Sequence, residues 1–301
     1  MSHSDNPAAA PAGLTVVGCG YTGRRLWQIG RSRGRDFVGT ASSDESVSGL
    51  RALGIAARLL DLDRAGSRLP PEYCAGRTLV YMAPPPDTAD IDPRLRNFLA
   101  GLPAPPRALV YLSTTGVYGD TGGAPVNEDT PPRPASARGR RRLDAEQAVS
   151  AWGAEHAVPV RILRVPGIYG PGRLPLGRIR QGAPVVRAAE AGPGNRIHVD
   201  DLAGACLVAA DYQGRQQVFN VGDGGHASMT EYFRAVAAAA GLPAPPELPL
   251  AELLARVSPA MRSFLVESRQ VDTTLMREEL GFQPRYASLE AGIAASLAEL
   301  D

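Results

Sequence analysis

The stretch Leu14-Thr-Val-Val-Gly18-Cys-Gly20-Tyr-Thr-Gly23-Arg-Arg25 decides the fold of this chain. A short apolar run comes first, and three glycines follow at Gly-x-Gly-x-x-Gly spacing before a segment of helical period. This order predicts a strand, a tight turn and a helix. Gly18 permits the turn, Gly20 leaves room for a pyrophosphate to approach the backbone, and Gly23 allows helix and strand to pack closely. Because a helix N-terminus offers free N–H groups and a partial positive charge, the stretch predicts dinucleotide binding rather than a merely structural turn.

The composition is that of an ordinary globular protein. Of the 301 residues, 44% are hydrophobic and 21% are charged, and the formal net charge is +1. This balance argues against nucleic acid or an anionic membrane as a partner. No apolar run approaches the roughly 18 residues of a membrane span, and the N-terminus lacks the features of a signal peptide. We therefore expect a cytoplasmic protein that acts on a small molecule, with a disordered tail over residues 1–12.

Three residue types limit the chemistry. Cys19, Cys74 and Cys206 share no close spacing, and the four histidines are scattered, so the sequence predicts neither a disulfide framework nor a protein-bound metal. All 32 basic residues are arginine. The lack of lysine excludes a Walker A loop, a Schiff-base lysine and a lysine general base.

Short apolar runs alternate with helical patterns along the first half of the chain. After the first strand, further strands are predicted over residues 35–40, 55–60, 77–82, 107–112 and 158–165, with helices over 46–53, 91–102 and 136–155. This alternation predicts an α/β fold with a doubly wound parallel sheet, a Rossmann domain over residues 13–165. Residues 166–301 predict a smaller substrate-binding lobe, from which a strand near 216–221 returns to the main sheet. Its helices are predicted over 229–240, 251–257, 275–280 and 289–300.

The end of the second strand selects the cofactor in this fold. An acidic residue there binds the ribose 2′-hydroxyl of NAD, but here the strand is followed by small and hydroxylic residues, among them Thr40 and Ser42. Arg24 and Arg25 follow the last glycine and are candidates to face a 2′-phosphate. The sequence thus favours NADP, with NAD as the alternative. Asp61, after the third strand, is a candidate to receive the adenine amino group or to cap the next turn.

The loop after the fifth strand lies where such sheets bind their ligands. It reads Ser113-Thr-Thr-Gly-Val-Tyr118-Gly-Asp, and its hydroxyls either hydrogen-bond a substrate or nicotinamide or form an ordinary Ser/Thr turn. The helix that follows carries arginines at 138, 140, 141 and 142. These form either a solvated helix face or a clamp for an anionic substrate. His198, at the start of a later helix, is expected to be a structural hydrogen-bonding residue.

Taken together, these segments resemble the extended short-chain dehydrogenase/reductase superfamily, in particular its NAD(P)-dependent epimerase/dehydratase family. The matching motifs are the glycine turn, residues 113–119, Asn127-Glu-Asp129, Arg164-Val-Pro-Gly-Ile-Tyr-Gly-Pro-Gly172 and Ile197-His-Val-Asp-Asp-Leu202. They span nearly the whole chain, and the glycine spacing is similar to that of the atypical branch. The resemblance implies a small polar, sugar-like substrate and a homodimer formed through the two helices that flank the central sheet.

The sequence departs from this family at the residues that carry its chemistry. In active members a Tyr-x-x-x-Lys pair with a Ser or Thr hydroxyl exchanges the substrate proton and holds the ribose. Alignment puts Arg138 at the tyrosine position, Arg142 at the lysine position and Thr114 at the hydroxyl position. A guanidinium with a pKa above about 12 cannot transfer that proton near neutral pH. Tyr118 is the nearest other proton donor, unless it only packs under the cofactor.

Three functions follow from the sequence and the resemblance, of which the third, an interaction module that has lost the nucleotide, is disfavoured because the complete glycine turn would then have no use. The first is an NAD(P)-dependent oxidoreductase or epimerase whose acid/base role has moved, with Thr114 and Tyr118 as catalytic residues. The second is an inactive NAD(P)(H)-binding sensor or regulator in which Arg138 and Arg142 grip a phosphate or an acidic ligand. The predicted cofactor-binding residues are Gly18, Gly20, Tyr21, Thr22, Gly23, Thr40, Ser42, Asp61, Leu62, Ala83, Pro84, Ser113, Arg142 and Pro166. The predicted substrate-binding residues are Arg138, Tyr169, Arg173 and Arg196.

Overall fold

A computed structural model describes residues 12–87 and 90–300, so residues 1–11 of the predicted tail lie outside the described residues. The strands are β1 (Leu14–Val17), β2 (Phe37–Ala41), β3 (Ala57–Leu59), β4 (Thr78–Tyr81), β5 (Ala108–Thr114), β6 (Pro125–Val126), β7 (Val160–Val165), β8 (Gly167–Tyr169), β9 (Val185–Val186), β10 (Arg196–His198), β11 (Val218–Asn220), β12 (Glu247–Leu248) and β13 (Gln270–Val271). The α-helices are α1 (Tyr21–Ser32), α2 (Asp44–Ala52), α3 (Pro93–Ala100), α4 (Ala137–Glu155), α5 (Leu176–Arg180), α6 (Val199–Asp211), α7 (Met229–Ala239), α8 (Leu250–Arg256), α9 (Pro259–Val266), α10 (Thr274–Glu278) and α11 (Leu289–Ala298).

Seven parallel strands form the central sheet, in the order β11-β7-β5-β4-β1-β2-β3. Strands β1 and β4 are buried along their whole length, because helices cover both faces of the sheet. The strand order reverses between β1 and β4, which is where open α/β sheets bind their ligands. The predicted doubly wound Rossmann architecture is confirmed, and the strand expected near residues 216–221 is β11, which pairs with β7.

Two apolar layers sandwich the sheet. On one face Leu26 of α1 and Leu207 of α6 pack with Val16 of β1. On the other face Phe98 of α3 and Val149 of α4 pack in a second cluster, which includes side chains of β4 and β5. The helices therefore fix the strand ends, and the loops that follow those ends converge on one edge of the sheet.

The later part of the chain adds three two-stranded parallel pairs, β10 with β8, β12 with β9, and β13 with β6. A third apolar cluster, with Val185, Tyr232, Phe233 and Ile293, holds β9, α7 and α11 together. The pairing of β13 with β6 brings residues 267–271 beside the segment that follows β5. In this way late residues reach the carboxyl edge of the central sheet.

Within residues 12–87 and 90–300, none of the helices is both long and apolar enough to cross a bilayer. In the same ranges, no three His, Cys, Asp or Glu side chains gather in an arrangement that could hold a metal ion. The three cysteines are free and buried.

Candidate functional site

The turn between β1 and α1 has the geometry that its first glycine requires. Gly18 adopts φ +80°, and a Cβ atom there would lie 2.8 Å from the backbone nitrogen of Ala83. The Gly18 N–H donates to Oγ1 of Thr40 at 3.1 Å, and the Cys19 N–H donates to the Thr40 carbonyl at 2.8 Å. Thr40, predicted to bind the cofactor, therefore supports the glycine turn from behind.

The other two glycines leave the start of α1 accessible. Apart from its chain neighbours, no atom of the described residues lies within 4 Å of the position that a Cβ on Gly20 would take, and Gly20 precedes α1 without a capping side chain. A Cβ on Gly23 would lie 3.0 Å from Sγ of Cys19 and 3.2 Å from Cγ1 of Val16. Gly23 thus allows close helix–strand packing, and Gly20 leaves the helix N–H groups open to an anion. These residues fit the pyrophosphate of a dinucleotide.

The residues predicted to contact the adenosine part of the cofactor differ in exposure and in hydrogen bonding. Ser42 is exposed after β2, whereas the Asp61 carboxylate accepts the Asp63 N–H at 3.0 Å and so caps a turn. Arg25 is ion-paired with Asp200 at 2.7 Å and with Glu299 at 2.6 Å. Of the two arginines considered for a 2′-phosphate, Arg24 is therefore the better placed.

A cleft of about 980 Å³ opens at the carboxyl ends of the central strands. We call it the arginine-lined cleft, because within the described residues its lining contains seven arginines against two carboxylates, those of Asp87 and Glu267. The arginines are Arg94, Arg138, Arg141, Arg142, Arg173, Arg196 and Arg269. In that same part of the chain no tyrosine, histidine or cysteine lines the cleft. The chemistry of the lining is thus suited to binding an anion.

The structure gathers eight of the predicted site residues in this lining. They are Pro84, Ser113, Thr114, Arg138, Arg142, Pro166, Arg173 and Arg196. The remaining predicted cofactor residues lie outside the lining, and these are Gly18, Gly20, Tyr21, Thr22, Gly23, Thr40, Ser42, Asp61, Leu62 and Ala83. Three further residues line the cleft that were not predicted from the sequence, namely Arg94, Arg269 and Glu267. No local motif marks these three residues, since the cleft forms only when distant segments meet.

Tyr118, which the sequence predicts to be a catalytic residue, does not line the cleft. Only 2% of it is exposed, and its hydroxyl donates to Oδ1 of Asn220 at 2.8 Å. Nη1 of Arg164 donates to the same hydroxyl at 2.9 Å, and this guanidinium lies 4.8 Å from the centre of the tyrosine ring. Burial raises the pKa of Tyr118. The position is that of a residue packed behind the cleft, which was the other role considered for it.

A buried ion pair continues this network. Arg164 and Glu146 are 5% and 4% exposed, and their Nη2 and Oε2 atoms are 2.8 Å apart. The Ser113 hydroxyl also donates to Glu146, so it is engaged inside the wall. Thr114 is the neighbouring hydroxyl, with Oγ1 accepting the Gly116 N–H at 3.2 Å.

Two family motifs likewise act as links within the fold. Glu128 accepts the backbone N–H of Asn220 at 2.6 Å, which ties the segment after β6 to β11. Asp201, in the motif that starts α6, accepts the N–H groups of Arg285 at 2.8 Å and of Tyr286 at 2.9 Å. His198 is fully buried and its Nδ1 accepts the Asp200 N–H at 3.2 Å, so it caps α6 as a structural residue.

Tyr169 was predicted to bind substrate but faces the core. Its ring packs against His198 at 5.3 Å and Tyr232 at 6.0 Å between ring centres, and it is 2% exposed. Successive side chains of a strand point to opposite sides, so Ile168 lines the cleft and Tyr169 turns away from it. Burial raises the pKa of Tyr169.

Several cleft arginines are held by neutral groups. Nη1 of Arg142 donates to the Leu112 carbonyl at 2.8 Å and to the Tyr111 hydroxyl at 3.1 Å. Arg196 donates to the carbonyls of residues 227 and 228, and its guanidinium lies 4.4 Å from the centre of the Tyr232 ring. Such partners fix a guanidinium without cancelling its charge, so the charge remains available to a ligand.

The chain was compared with known protein families, curated proteins and solved structures. Residues 99–222 match the model of the NAD dependent epimerase/dehydratase family. The dTDP-L-rhamnose 4-epimerase of Burkholderia thailandensis is 28% identical over 177 residues, which are 54% of this chain and less than half, 46%, of that protein. A functionally unknown conserved protein from Silicibacter pomeroyi DSS has a solved structure that is 30% identical, with a TM-score of 0.79 over 96% of this chain and 99% of that chain.

A further solved structure, MoeE5 in complex with UDP-glucose and NAD, has a TM-score of 0.75 at 23% identity, over 95% of this chain and 98% of that chain. At this identity the likeness concerns the fold. The glycine turn, the parallel sheet and the motifs after β5 and β7 agree with these matches. Residues 99–222 thus carry the pattern of the NAD dependent epimerase/dehydratase family, and the fold of these solved structures is shared over nearly the whole chain.

Proposed function

We propose that the protein binds a nicotinamide dinucleotide at the β1–α1 turn and an anionic small molecule in the arginine-lined cleft, and that it works as a sensor or regulator of these ligands. The observation that carries the proposal is the lining of the cleft. Arg138 and Arg142 occupy the positions of the family's proton-transferring pair, and within the described residues no tyrosine or histidine stands in for it. Arginine binds anions strongly but stays protonated, so it supports binding and not proton transfer.

The dinucleotide half of the proposal is supported by the turn at Gly18, Gly20 and Gly23. When bound, the nicotinamide of such a cofactor supplies or accepts a hydride. NADP is proposed in preference to NAD, because the acids nearest the end of β2 are in the first turn of α2 and Ser42 is exposed there, with Arg24 nearby along α1. A Ser42→Asp variant should therefore shift the preference toward NAD.

The second ligand is proposed to be of the nucleotide-sugar kind. Related proteins are sugar epimerases by name, and MoeE5 was solved with UDP-glucose. A diphosphate carries the negative charge that a cleft with seven arginines favours. We also propose, as expected from the sequence, that the protein forms a homodimer, consists of two domains and is located in the cytoplasm.

A second candidate function is an oxidoreductase or epimerase with another proton acceptor. It is favoured by Thr114, which lines the cleft, and by the two carboxylates in the lining. Nη2 of Arg269 is 2.7 Å from Oε2 of Glu267, so that this carboxylate is held close to a guanidinium. Because this carboxylate is already engaged by an arginine, this function is placed second.

Calorimetric titration with NADPH and NADH, followed by a search for absorbance change at the nicotinamide in the presence of UDP-glucose or UDP-glucuronic acid, tests both candidates. We expect binding without turnover in the parent protein. A double variant, Arg138→Tyr with Arg142→Lys, restores the family's pair and is the matched comparison. Turnover gained by the variant supports a sensor, whereas turnover in the parent that is lost in Glu267→Gln supports the second candidate. Failure of both dinucleotides to bind contradicts the proposal.

A further inference from the structure

We infer that Arg138, Arg142 and Arg269 form an anion-binding subsite of their own, the α4 subsite, which takes a carboxylate or phosphate carried by the reactive end of the small molecule. The inference deepens the proposed function and rests on it. It adds that the ligand carries two separated anionic groups, one for Arg173 and Arg196 and a second one for the α4 subsite.

The placement of the three arginines supports this subsite. Arg138 and Arg142 are four residues apart on α4, so they lie one turn apart on the same face. Arg269 comes from the segment just before β13, where its Nε donates to the Gly119 carbonyl at 2.7 Å and its Nη2 lies 2.7 Å from Oε2 of Glu267. All three side chains line the cleft. Two segments that are distant in the sequence therefore bring guanidinium groups into the same cleft.

The balance of charge in this region is positive. Burial lowers the pKa of Arg138, and the charges of Arg142, Arg269 and Arg141 lower it further, while Glu267 opposes them. Asp87, the other carboxylate of the lining, is ion-paired with Arg141 at 2.6 Å. Like charges held together in a concave region repel one another, and an anion placed among them relieves that repulsion.

The subsite is separate from the arginines at the other end of the cleft. Arg196 donates to the carbonyls of residues 227 and 228, and its guanidinium lies 4.4 Å from the centre of the Tyr232 ring. Arg142, in contrast, donates to Leu112 and Tyr111 of β5. Arg173 lies over the Tyr21 ring, 4.0 Å from its centre, next to the start of α1. One ligand that reaches both ends therefore needs two anionic groups.

Three sugar phosphates that differ at one carbon test the inference. Glucose 1-phosphate, glucuronic acid 1-phosphate and glucose 1,6-bisphosphate share the phosphate at C1 and carry a hydroxyl, a carboxylate or a second phosphate at C6. With NADPH at saturation, calorimetry at low salt should give at least ~tenfold tighter binding for one or both of the doubly anionic probes than for glucose 1-phosphate. Which of the two binds more tightly identifies the anion as a carboxylate or a phosphate. The gain should shrink as salt is added, because it is electrostatic.

Arg138→Gln should reduce this gain below about threefold, since one of three guanidinium groups no longer carries a charge. Arg140→Gln is the matched control, because Arg140 lies on the same helix but points away from the lining and is ion-paired with Asp90 at 3.2 Å. Both variants should keep the melting temperature of the parent. Equal binding of all three probes, or a gain that survives in Arg138→Gln, would overturn the α4 subsite and leave the proposed function standing. If no probe binds at all, the anionic ligand of the proposed function fails together with the subsite.

Discussion

The β1–α1 turn and the arginine-lined cleft are built in opposite ways. The turn uses backbone: a positive φ at Gly18, open space beside Gly20 and uncapped N–H groups at the start of α1. The cleft uses charged side chains, which come from β10, from α4 and from the segment before β13. The turn depends on three glycines, whereas the cleft presents Arg138 and Arg142 at the positions that the sequence alignment assigns to a tyrosine and a lysine.

This difference indicates which parts of a binding site can change their residues while the fold is kept. A backbone site depends on the lack of a Cβ atom and has few alternatives. A side-chain site can change its chemistry while the fold behind it stays in place, because Glu146, Arg164 and Tyr118 hold the wall from inside. Hydrogen bonds link Glu146, Arg164 and Tyr118 in a chain that also includes Ser113 and Asn220.

The largest expected effect concerns that network. In Glu146→Ala the buried Arg164 loses its carboxylate, and we expect the free energy of unfolding to fall by about 3–5 kcal/mol, because an unpaired charge remains buried. Urea unfolding measures this loss. The surface pair of Arg140 and Asp90 provides the control, since Asp90→Ala should cost no more than about 1 kcal/mol. If both variants lose the same free energy of unfolding, the buried ion pair stabilises the fold no more than the surface pair does.

The next effect is a pH dependence at Asp223, whose N–H donates to the carbonyl of Arg196. Burial raises the pKa of Asp223 from 3.8 to about 6, with Arg196 opposing the shift. Because the folded state holds this proton more tightly than the unfolded state, its contribution to stability is fullest below about pH 4 and is lost as the pH rises to about 6. The total is up to about 3 kcal/mol, since one pKa unit corresponds to about 1.4 kcal/mol.

Asp223→Asn removes the titration while keeping an acceptor for the Gly225 N–H, which the Asp223 carboxylate accepts at 2.8 Å. Unfolding curves between pH 4 and pH 7 should therefore show that the free energy of unfolding of the variant increases relative to that of the parent as the pH rises. If the stability of variant and parent changes with pH in the same way, Asp223 is not the cause of the pH dependence. The β1–α1 turn contains no comparable buried acid within its residues 18–23, so this pH dependence separates the two regions.

For the turn, Gly20→Val is the sharpest test. A Cβ at this position meets no protein atom within 4 Å, so the fold should be kept, whereas the side chain blocks the approach of a pyrophosphate. We expect dinucleotide affinity to fall at least ~100-fold, which is about 2.7 kcal/mol, with little change in melting temperature. Undiminished affinity in calorimetry would contradict dinucleotide binding at this turn.

The smallest effect belongs to Tyr118→Phe. Its hydroxyl joins Arg164 to Asn220, so the variant leaves two buried groups short of a partner and should lose about 1–3 kcal/mol of stability. Dinucleotide affinity should stay within about twofold, since Tyr118 does not line the cleft. A stable variant with lost turnover would instead restore the catalytic role that the sequence predicted for it.

Much of the fold followed from local patterns. The glycine turn, the alternation of strands and helices and the helix at α4 were predicted within a few residues, because apolar periodicity and glycine spacing act over short distances. The second strand begins at Phe37, later than predicted, since Arg35 is drawn away by the Ala12 carbonyl and an ion pair with Asp211. Such contacts join distant residues and leave no local signal.

By itself, the sequence determined the parallel sheet and the β1–α1 turn, and it placed arginines at positions 138 and 142. Only the tertiary structure decided that Tyr118 and Tyr169 turn inward and that Arg138 and Arg269 line the same cleft. The physical reason is the range of the interactions. Backbone conformation and apolar periodicity are set by neighbours in the chain, whereas burial and charge environment depend on segments that meet only after folding.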